Sequence, residues 1–274
     1  MSNELNQQVG KGRIVIRIGQ HHLSFSTFDA TRAEAPITYE PYVVKSNMSI
    51  AANLREALKG AGLAQVGISK AMVLIDAPVL LIPVEVFEEA KMAVMYHQSF
   101  PCREQEQVLY NVLPDLNAVA VFSVNKDLKL VLDDNFADVR TTAAMSPVWR
   151  HLHRRSFTST RNKLYGYLHD QKIDVFSFHQ NRFKFYNQFE TTRSADALYF
   201  LLYVWKQLML SQERDELHLV GDGLTDGQDE LANKLRRYLQ NVFVINPSAE
   251  FNRAPATKVK GMPFDLVTLF TKGR

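Results

Sequence analysis

The side chains that most often carry out catalysis are sparse in this sequence and poorly spaced for it. Two histidines form the pattern His151-x-His153, but no histidine pair stands at i, i+4 beside an acid, as a helical zinc site requires. Cys102 is the only cysteine, and no family signature of a nucleophile surrounds it. We therefore name no catalytic residue and no metal ligand, and we expect the histidines and Cys102 to be structural.

One segment, residues 149–163, has the strongest local charge bias in the chain, because it contains bases but no acid. The cations that could contact a polyanion there are Arg150, Arg154, Arg155 and Arg161, with Lys163 just beyond them. Such a run can bind RNA, DNA or an acidic protein surface. It is equally typical of a solvated helix and loop between two halves of a chain, and we favour that interpretation.

Composition narrows the class of protein. The 274 residues are 46% apolar and 22% charged, which is ordinary for a globular protein and unlike a disordered one. A net charge of +3 is too small to indicate an obligatory nucleic-acid or membrane partner. A single cysteine excludes an internal disulfide. The polar first eight residues and the lack of an apolar run of about 20 residues predict a cytoplasmic protein without a membrane span.

The elements that would position any site follow one order in each half of the chain. In both halves three strand-like runs are followed by a helical segment and then a fourth, apolar strand. In the first half these are residues 13–19, 22–29, 37–44, 49–59 (with Ser49 able to cap the helix) and 71–75. In the second half they are residues 163–169, 173–178, 182–189, 194–210 (with Ser194 as cap) and 217–220, with a further helix at 225–240. The first strand precedes the fourth by 58 residues in the first half (13 to 71) and by 54 in the second (163 to 217).

This repeated order predicts an α/β protein with two similar lobes. Three consecutive strands would form an antiparallel meander, and the helix would cross over to a fourth strand parallel to the first. The first half also holds an insertion, predicted as a helix at 84–99, strands at 107–124 and 128–132, and a helical connection at 137–155. We place the domains at 1–155 and 156–274, and expect the apolar segment 264–270 to dock on its own lobe.

Several motifs carry a resemblance to known proteins. They are Asp76-Ala-Pro78, Leu81-Ile-Pro83 leading towards Phe87, the triple strand of residues 163–189, and Leu219-Val-Gly-Asp-Gly223. With the order of elements over residues 13–272, they resemble the actin-like ATPase superfamily, whose two lobes each have a ribonuclease H-like core. More narrowly, the chain is similar to a bacterial family assigned that fold, domain of unknown function 3822.

The resemblance implies a nucleotide site, for ATP with magnesium, built from three signatures. The first is an acid and a glycine in the first hairpin, where this sequence reads Arg17-Ile18-Gly19-Gln20-His21 and an arginine replaces the acid. The second is an acid-glycine turn in the second lobe, where residues 169–174 offer acids, Asp174 among them, but no glycine. The third is a glycine-rich turn that packs on adenosine, and Val220-Gly221-Asp222-Gly223-Leu224 matches it.

The residues that the resemblance marks as nucleotide contacts are therefore Gly19, Gln20, Asp174, Gly221, Asp222 and Gly223. Loss of the acid at Arg17 is expected to weaken magnesium and phosphate binding, since metal ions normally neutralise the phosphoryl group. Gly221 and Gly223 have a second interpretation, which is that they only turn the chain from strand into helix. A nuclease is not expected, because Asp76 is the only well-placed carboxylate.

Three hypotheses for function remain. The first is a non-catalytic or weakly nucleotide-binding scaffold that recruits a protein partner, as the actin-like division and pilus scaffolds do. The second is an ATPase or kinase of the superfamily, which depends on Gly221-Asp-Gly223. The third is a nucleic-acid-associated protein that uses the basic segment from Arg150 to Lys163.

Overall fold

The computed structural model describes residues 12–29, 36–62, 67–101, 104–156, 161–179, 182–222, 224 and 230–271. Contacts divide the chain into two compact units, Met1–Val148 together with Pro255–Arg274, and Trp149–Ala254. This division differs from the predicted domains 1–155 and 156–274, because the segment after Pro255 groups with the first unit. The expectation that residues 264–270 dock on their own, second lobe is therefore wrong. Leu266 packs with Val15 and Met72 of the first unit, and Asp265 forms a buried ion pair with Arg17, 248 residues away in the chain.

The described elements are as follows. The strands are β1 (Arg13–Ile18), β2 (His22–Phe28), β3 (Ile37–Val43), β4 (Lys70–Ile75), β5 (Val79–Pro83), β6 (Glu106–Leu113), β7 (Ala118–Asn125), β8 (Asp138–Ala143), β9 (Lys163–His169), β10 (Lys172–His179), β11 (Arg182–Glu190), β12 (Glu216–Gly221) and β13 (Asn241–Val244). The α-helices are α1 (Ile50–Gly60), α2 (Met92–Ser99), α3 (Lys126–Asn135), α4 (Ser146–Ser156), α5 (Ser194–Gln207), α6 (Glu230–Leu235), α7 (Pro247–Glu250) and α8 (Phe264–Thr271).

The first unit has a five-stranded sheet in the order β3-β2-β1-β4-β8 and a three-stranded sheet in the order β5-β7-β6. β1, β2 and β3 form the predicted antiparallel meander, and β4 lies parallel to β1. Ser49 caps α1, since its side chain accepts a hydrogen bond from the Ala52 amide. The strand β1 is buried along its whole length, which fits its place in the middle of the sheet.

The second unit repeats this plan in a sheet of order β11-β10-β9-β12-β13. The meander β9-β10-β11 is antiparallel, and β12 lies parallel to β9. The helix α5 covers one face with Leu201, Val204 and Trp205, and packs with Leu217 and Leu219 of β12. Burying each such side chain contributes about 1.5–3 kcal/mol, so this face is the main core of the unit. The repeated three-strand, helix and parallel-strand order is confirmed.

The insertion and the sheet edges differ from the predictions. Residues 128–132 were predicted as a strand but lie in α3, because Leu128, Val131 and Leu132 share one buried helical face. The helix predicted over 84–99 is shorter, with two 3₁₀ turns before α2. The segment 137–155 begins with β8 and only then forms α4. Both β8 and β13 add a fifth strand to their sheets. Because these edge strands are half-exposed, their sequences show little apolar alternation, and the sequence did not predict them.

Among the described helices, none combines the length and the apolar character that crossing a bilayer requires.

Candidate functional site

A buried ion cluster stands at the carboxyl ends of β1 and β4. Arg17 is the second-last residue of β1, and Asp76 follows β4 directly. The Arg17 Nε donates to Asp265 Oδ2 of α8 over 2.7 Å, and an Arg17 guanidinium nitrogen lies 3.6 Å from Asp76 Oδ2. The side chains of Arg17, Asp76 and Asp265 are only 4%, 2% and 0% exposed. The arginine that replaces the expected acid is therefore held inside the first unit by two carboxylates.

The cluster is a poor fit for magnesium. A divalent cation requires oxygen ligands that are free to coordinate it, and it repels a neighbouring guanidinium. Here the Arg17 guanidinium already occupies the space between Asp76 and Asp265. Elsewhere in the described part of the chain, no three His, Cys, Asp or Glu side chains group as metal ligands.

The first hairpin uses its glycine within the protein. The Gly19 amide donates to the His22 carbonyl oxygen over 2.9 Å, and the Asp76 amide donates to the Ile18 carbonyl oxygen over the same distance. Gly19 is buried and Gln20 is exposed. The Gly19 amide, which the resemblance assigns to phosphate, thus closes the turn between β1 and β2.

Asp174, predicted as a second phosphate contact, is fully buried in the second unit. Its carboxylate contacts His169 Nε2 at 2.5 Å, accepts from the Tyr186 hydroxyl over 2.7 Å, and accepts from Gln188 Nε2 over 3.3 Å. The turn beside it places Asp170 at φ 46° and Gln171 at φ 62°. Two consecutive positive φ angles are typical of a tight two-residue hairpin turn, in which the sequence Asn-Gly is normally favoured. The arrangement uses Asp174 to tie three strands together, which gives this carboxylate a structural role.

Gly221 ends β12 at φ +122°, where it approaches β9 too closely for any other residue. A Cβ placed on Gly221 would lie 1.9 Å from the Leu168 carbonyl oxygen. The Asp222 amide then donates to that same oxygen over 2.8 Å, and the Asp222 residue is exposed. Packing against Leu168 is thus sufficient to explain the glycine at 221. Gly223 lies outside the described residues.

The basic segment is partly neutralised by acids of the second unit. Arg155 pairs with Glu250 of α7, and His151 Nε2 lies 2.9 Å from the same carboxylate. Arg161 lies 3.8 Å from Glu216, with its side chain 53% exposed. Arg154 is exposed and Arg150 is half-buried. The acids come from 55 or more residues further along the chain, so the local sequence does not reveal them.

Glu250 supports a prediction on pH dependence. Its pKa is lowered to about 2, mainly by the hydrogen bond from His151 and also by Arg155, while burial opposes the shift. A lowered pKa in the folded state stabilises the protein above the ordinary value of 4.5, and this contribution is lost as the pH falls towards 2. We expect Glu250→Gln to lower the free energy of unfolding by about 2 kcal/mol at pH 7, and by progressively less between pH 4.5 and pH 2.

The measurement is urea unfolding followed by tryptophan fluorescence, because Trp149 and Trp205 both lie in the second unit. Glu213→Gln is the matched control, since Glu213 is exposed and makes no ion pair among the described residues. A deficit in Glu250→Gln that stays constant from pH 7 to pH 3 would contradict the prediction.

Some site residues were not found from the sequence. The sequence pattern places Asp265 in an apolar segment, and it predicts only strands at His169, Tyr186 and Gln188. A signal existed for Asp265, because it is the only charged residue in the segment Phe264–Thr271, whose other residues are apolar or threonine. An acid in such a place requires a cation as its partner.

Comparison with solved structures places this architecture in the class of actin-like ATPase folds. A protein of unknown function from Bacteroides thetaiotaomicron VPI-5482 with that fold superposes with a TM-score of 0.78 at 26% identity, covering 91% of this chain and 97% of the other. A PilM–PilN type IV pilus biogenesis complex gives a TM-score of 0.58 at 14% identity, covering 95% and 97%. The fold class predicted from the sequence is confirmed.

Within that class the chain belongs to a particular family. Residues 3–242 match the family model described as protein of unknown function DUF3822, so the chain is a member of that family, as its sequence motifs indicated. No curated protein matches the chain.

Proposed function

We propose that this protein is a non-catalytic scaffold that uses the actin-like fold to recruit a protein partner. The observation that carries the proposal is the buried Arg17, held by Asp265 and Asp76 where the superfamily has a metal-binding acid. A guanidinium at this position repels magnesium and takes up the carboxylates that remain nearby.

The other two signatures support the same conclusion. The Asp174 carboxylate is engaged by three side chains of its own unit. Gly221 is required by its contact with Leu168 whether or not a nucleotide binds. Gly19, Asp174 and Gly221 thus each have a structural role that does not require a nucleotide.

A protein partner is the second half of the proposal. PilM, which shares the fold, is described in a complex with PilN. Because the identity is only 14%, that likeness shows the fold alone, and we carry recruitment to this chain as a proposal. The second unit also exposes several large apolar side chains, which is the kind of surface that partners cover.

Calorimetric titration with ATP, ADP and GTP, with and without magnesium, tests the first half. We expect no binding heat and no rise in melting temperature with any of the three nucleotides. Micromolar binding that is lost in Asp222→Lys would contradict the proposal and favour an ATPase or kinase. Asp222 is the suitable position because it is exposed, whereas a side chain at Gly221 would disrupt the fold.

Affinity capture from the lysate of the native cells tests the second half. We expect one specific protein to be retained equally with and without ATP. If no specific protein is retained under any condition, recruitment is wrong. If only nucleic acid is retained, and charge reversal at Arg154 removes it, the basic segment is the functional surface instead.

A further inference from the structure

The helix α5 ends in an unusual way. Its last turn closes as a Schellman motif, in which the Leu210 amide donates to the Trp205 carbonyl oxygen over 3.2 Å and the Met209 amide donates to the Lys206 carbonyl oxygen over 3.0 Å. This motif needs a left-handed residue at Met209, which has φ 52°. Glycine is the usual residue there, because a Cβ makes the left-handed conformation unfavourable.

Glycine at position 209 would therefore make the folded protein more stable than Met209 does. The Met209 side chain is 92% exposed. An exposed methionine also places apolar surface in water. Neither feature helps the unit to fold, and strained residues that persist are often found at binding sites. Methionine is common at binding surfaces because its side chain is flexible and polarisable.

Met209 stands beside a groove of about 440 Å³ in the second unit. We call it the Met209 groove. Its walls are mainly apolar or aromatic, and its principal lining residues are Leu202, Trp205, Lys206, Met209, Tyr238 and Leu239. The exposed Tyr199 and Tyr203 stack on each other along α5 with ring centroids 6.0 Å apart, and they extend the aromatic surface along this helix.

The polar groups of the groove indicate what it binds. Lys206 is exposed and makes no ion pair with any described residue, and no acid lines the groove. Gln212 also lines the groove and adds a side-chain amide. The groove thus offers one cation and one amide amid mainly apolar and aromatic walls. An occupant that matches it supplies an apolar side chain, a carboxylate and a hydrogen-bond acceptor.

We propose that the Met209 groove binds an acidic segment of a partner protein. In this complex a large apolar side chain of the partner packs against Trp205 and Leu239, and Met209 folds over it. A neighbouring carboxylate pairs with Lys206. The proposal rests on the proposed function as a partner-recruiting scaffold, and it names the surface and the chemistry of the partner.

The test begins with a library of random 12-residue peptides displayed on phage and selected against the full chain. The enriched peptides are expected to combine Leu, Phe, Met or Trp with Asp or Glu within three or four residues. One such peptide, labelled with fluorescein, is then titrated by fluorescence polarisation. Lys206→Glu is expected to weaken its binding at least about tenfold. Lys184→Glu, a charge reversal at an exposed lysine of β11 outside the groove, leaves the affinity unchanged.

Met209→Gly separates a binding role from a structural one. Because glycine suits the left-handed position, this variant is expected to melt about 2–4 °C higher than the wild type. It is also expected to bind the peptide at least about fivefold more weakly, since the apolar contact is lost. A purely structural role for Met209 would change stability and leave binding intact.

Four results would overturn the proposal. One is enrichment of basic or purely apolar peptides, or of none. Another is equal affinity of the wild type, Lys206→Glu and Met209→Gly for the selected peptide. The third is a concentration-dependent dimer in sedimentation experiments that Met209→Gly abolishes, because the occupant would then be a second copy of this chain. If a partner is captured from lysate equally well by both groove variants, the groove assignment fails while the scaffold function survives.

Discussion

Gly221→Ala is expected to destabilise the second unit by more than about 3 kcal/mol, and the variant is expected to accumulate poorly in cells. The added methyl group would lie 1.9 Å from the Leu168 carbonyl oxygen and 2.8 Å from its carbonyl carbon. These are backbone atoms of the neighbouring strand β9, so they cannot move aside without breaking the pairing with β12. The backbone at φ +122° adds strain that no side chain relieves.

Two other glycines provide a graded comparison. At Gly166 a Cβ would meet Leu219 and Leu201 side-chain ends at 3.0 and 3.1 Å, so we expect Gly166→Ala to cost about 1 kcal/mol. At Gly60, near the end of α1, nothing lies within 4 Å, so Gly60→Ala is expected to be neutral or stabilising by about 0.5 kcal/mol. Thermal unfolding followed by far-ultraviolet circular dichroism measures all three. If Gly221→Ala melts within 2 °C of Gly60→Ala, the close approach is not the reason for this glycine.

This series also bears on function. In the superfamily a glycine in this turn packs on adenosine, so a bulky residue at Gly221 is the obvious substitution for blocking a nucleotide. The contact with Leu168 means that such a variant loses its fold together with any ligand. Only an exposed neighbour such as Asp222 can separate the two effects.

Arg17→Met is expected to destabilise the first unit by about 3–5 kcal/mol, because it leaves two buried carboxylates without their shared cation. Asp76 and Asp265 are 2% and 0% exposed, so water cannot replace the guanidinium. Since Asp265 belongs to α8, the loss is expected to loosen the packing of this helix on the rest of the unit. Hydrogen exchange of the amides of Phe264–Thr271 is therefore expected to accelerate more than that of α1.

Two further variants show whether the charge or the volume of Arg17 matters. Arg17→Lys keeps the charge but loses the planar geometry, and is expected to cost about half as much as Arg17→Met. The double variant Arg17→Met with Asp265→Leu is expected to be more stable than Arg17→Met alone, because it removes one of the uncompensated charges. If Arg17→Met loses less than about 1 kcal/mol, or if the double variant is the less stable of the two, the buried pair does not stabilise the unit.

The same cluster shows how the actin-like fold accommodates a cation at position 17. Arg17 stands where the resemblance to the superfamily implies a metal-binding acid, and Asp76 and Asp265 form ion pairs with its guanidinium. The sheet order of the unit is retained, because it depends on the apolar pattern of β1 and β4 rather than on the charge at their ends.

The sequence by itself determined the repeated architecture and the family. Strand alternation, the helical period of α1 and α5, and the apolar runs at β4 and β12 are local patterns, and local patterns follow directly from the repeat of each element. They were sufficient for two antiparallel meanders, each with a helix and a parallel fourth strand. The replacement of the expected acid by Arg17 was also visible at this level.

Only the tertiary structure decided what these residues do. Arg17 meets Asp265 across 248 positions, and Asp174 is engaged by residues of two other strands. Position 221 has no room for a side chain, because β9, which starts 58 residues earlier at Lys163, lies against it. The groove beside Met209 combines the end of α5 with Tyr238 and Leu239, about 30 residues further on. Periodicity reports how a residue faces its own element, whereas burial, charge pairing and close approach depend on which distant element is folded against it.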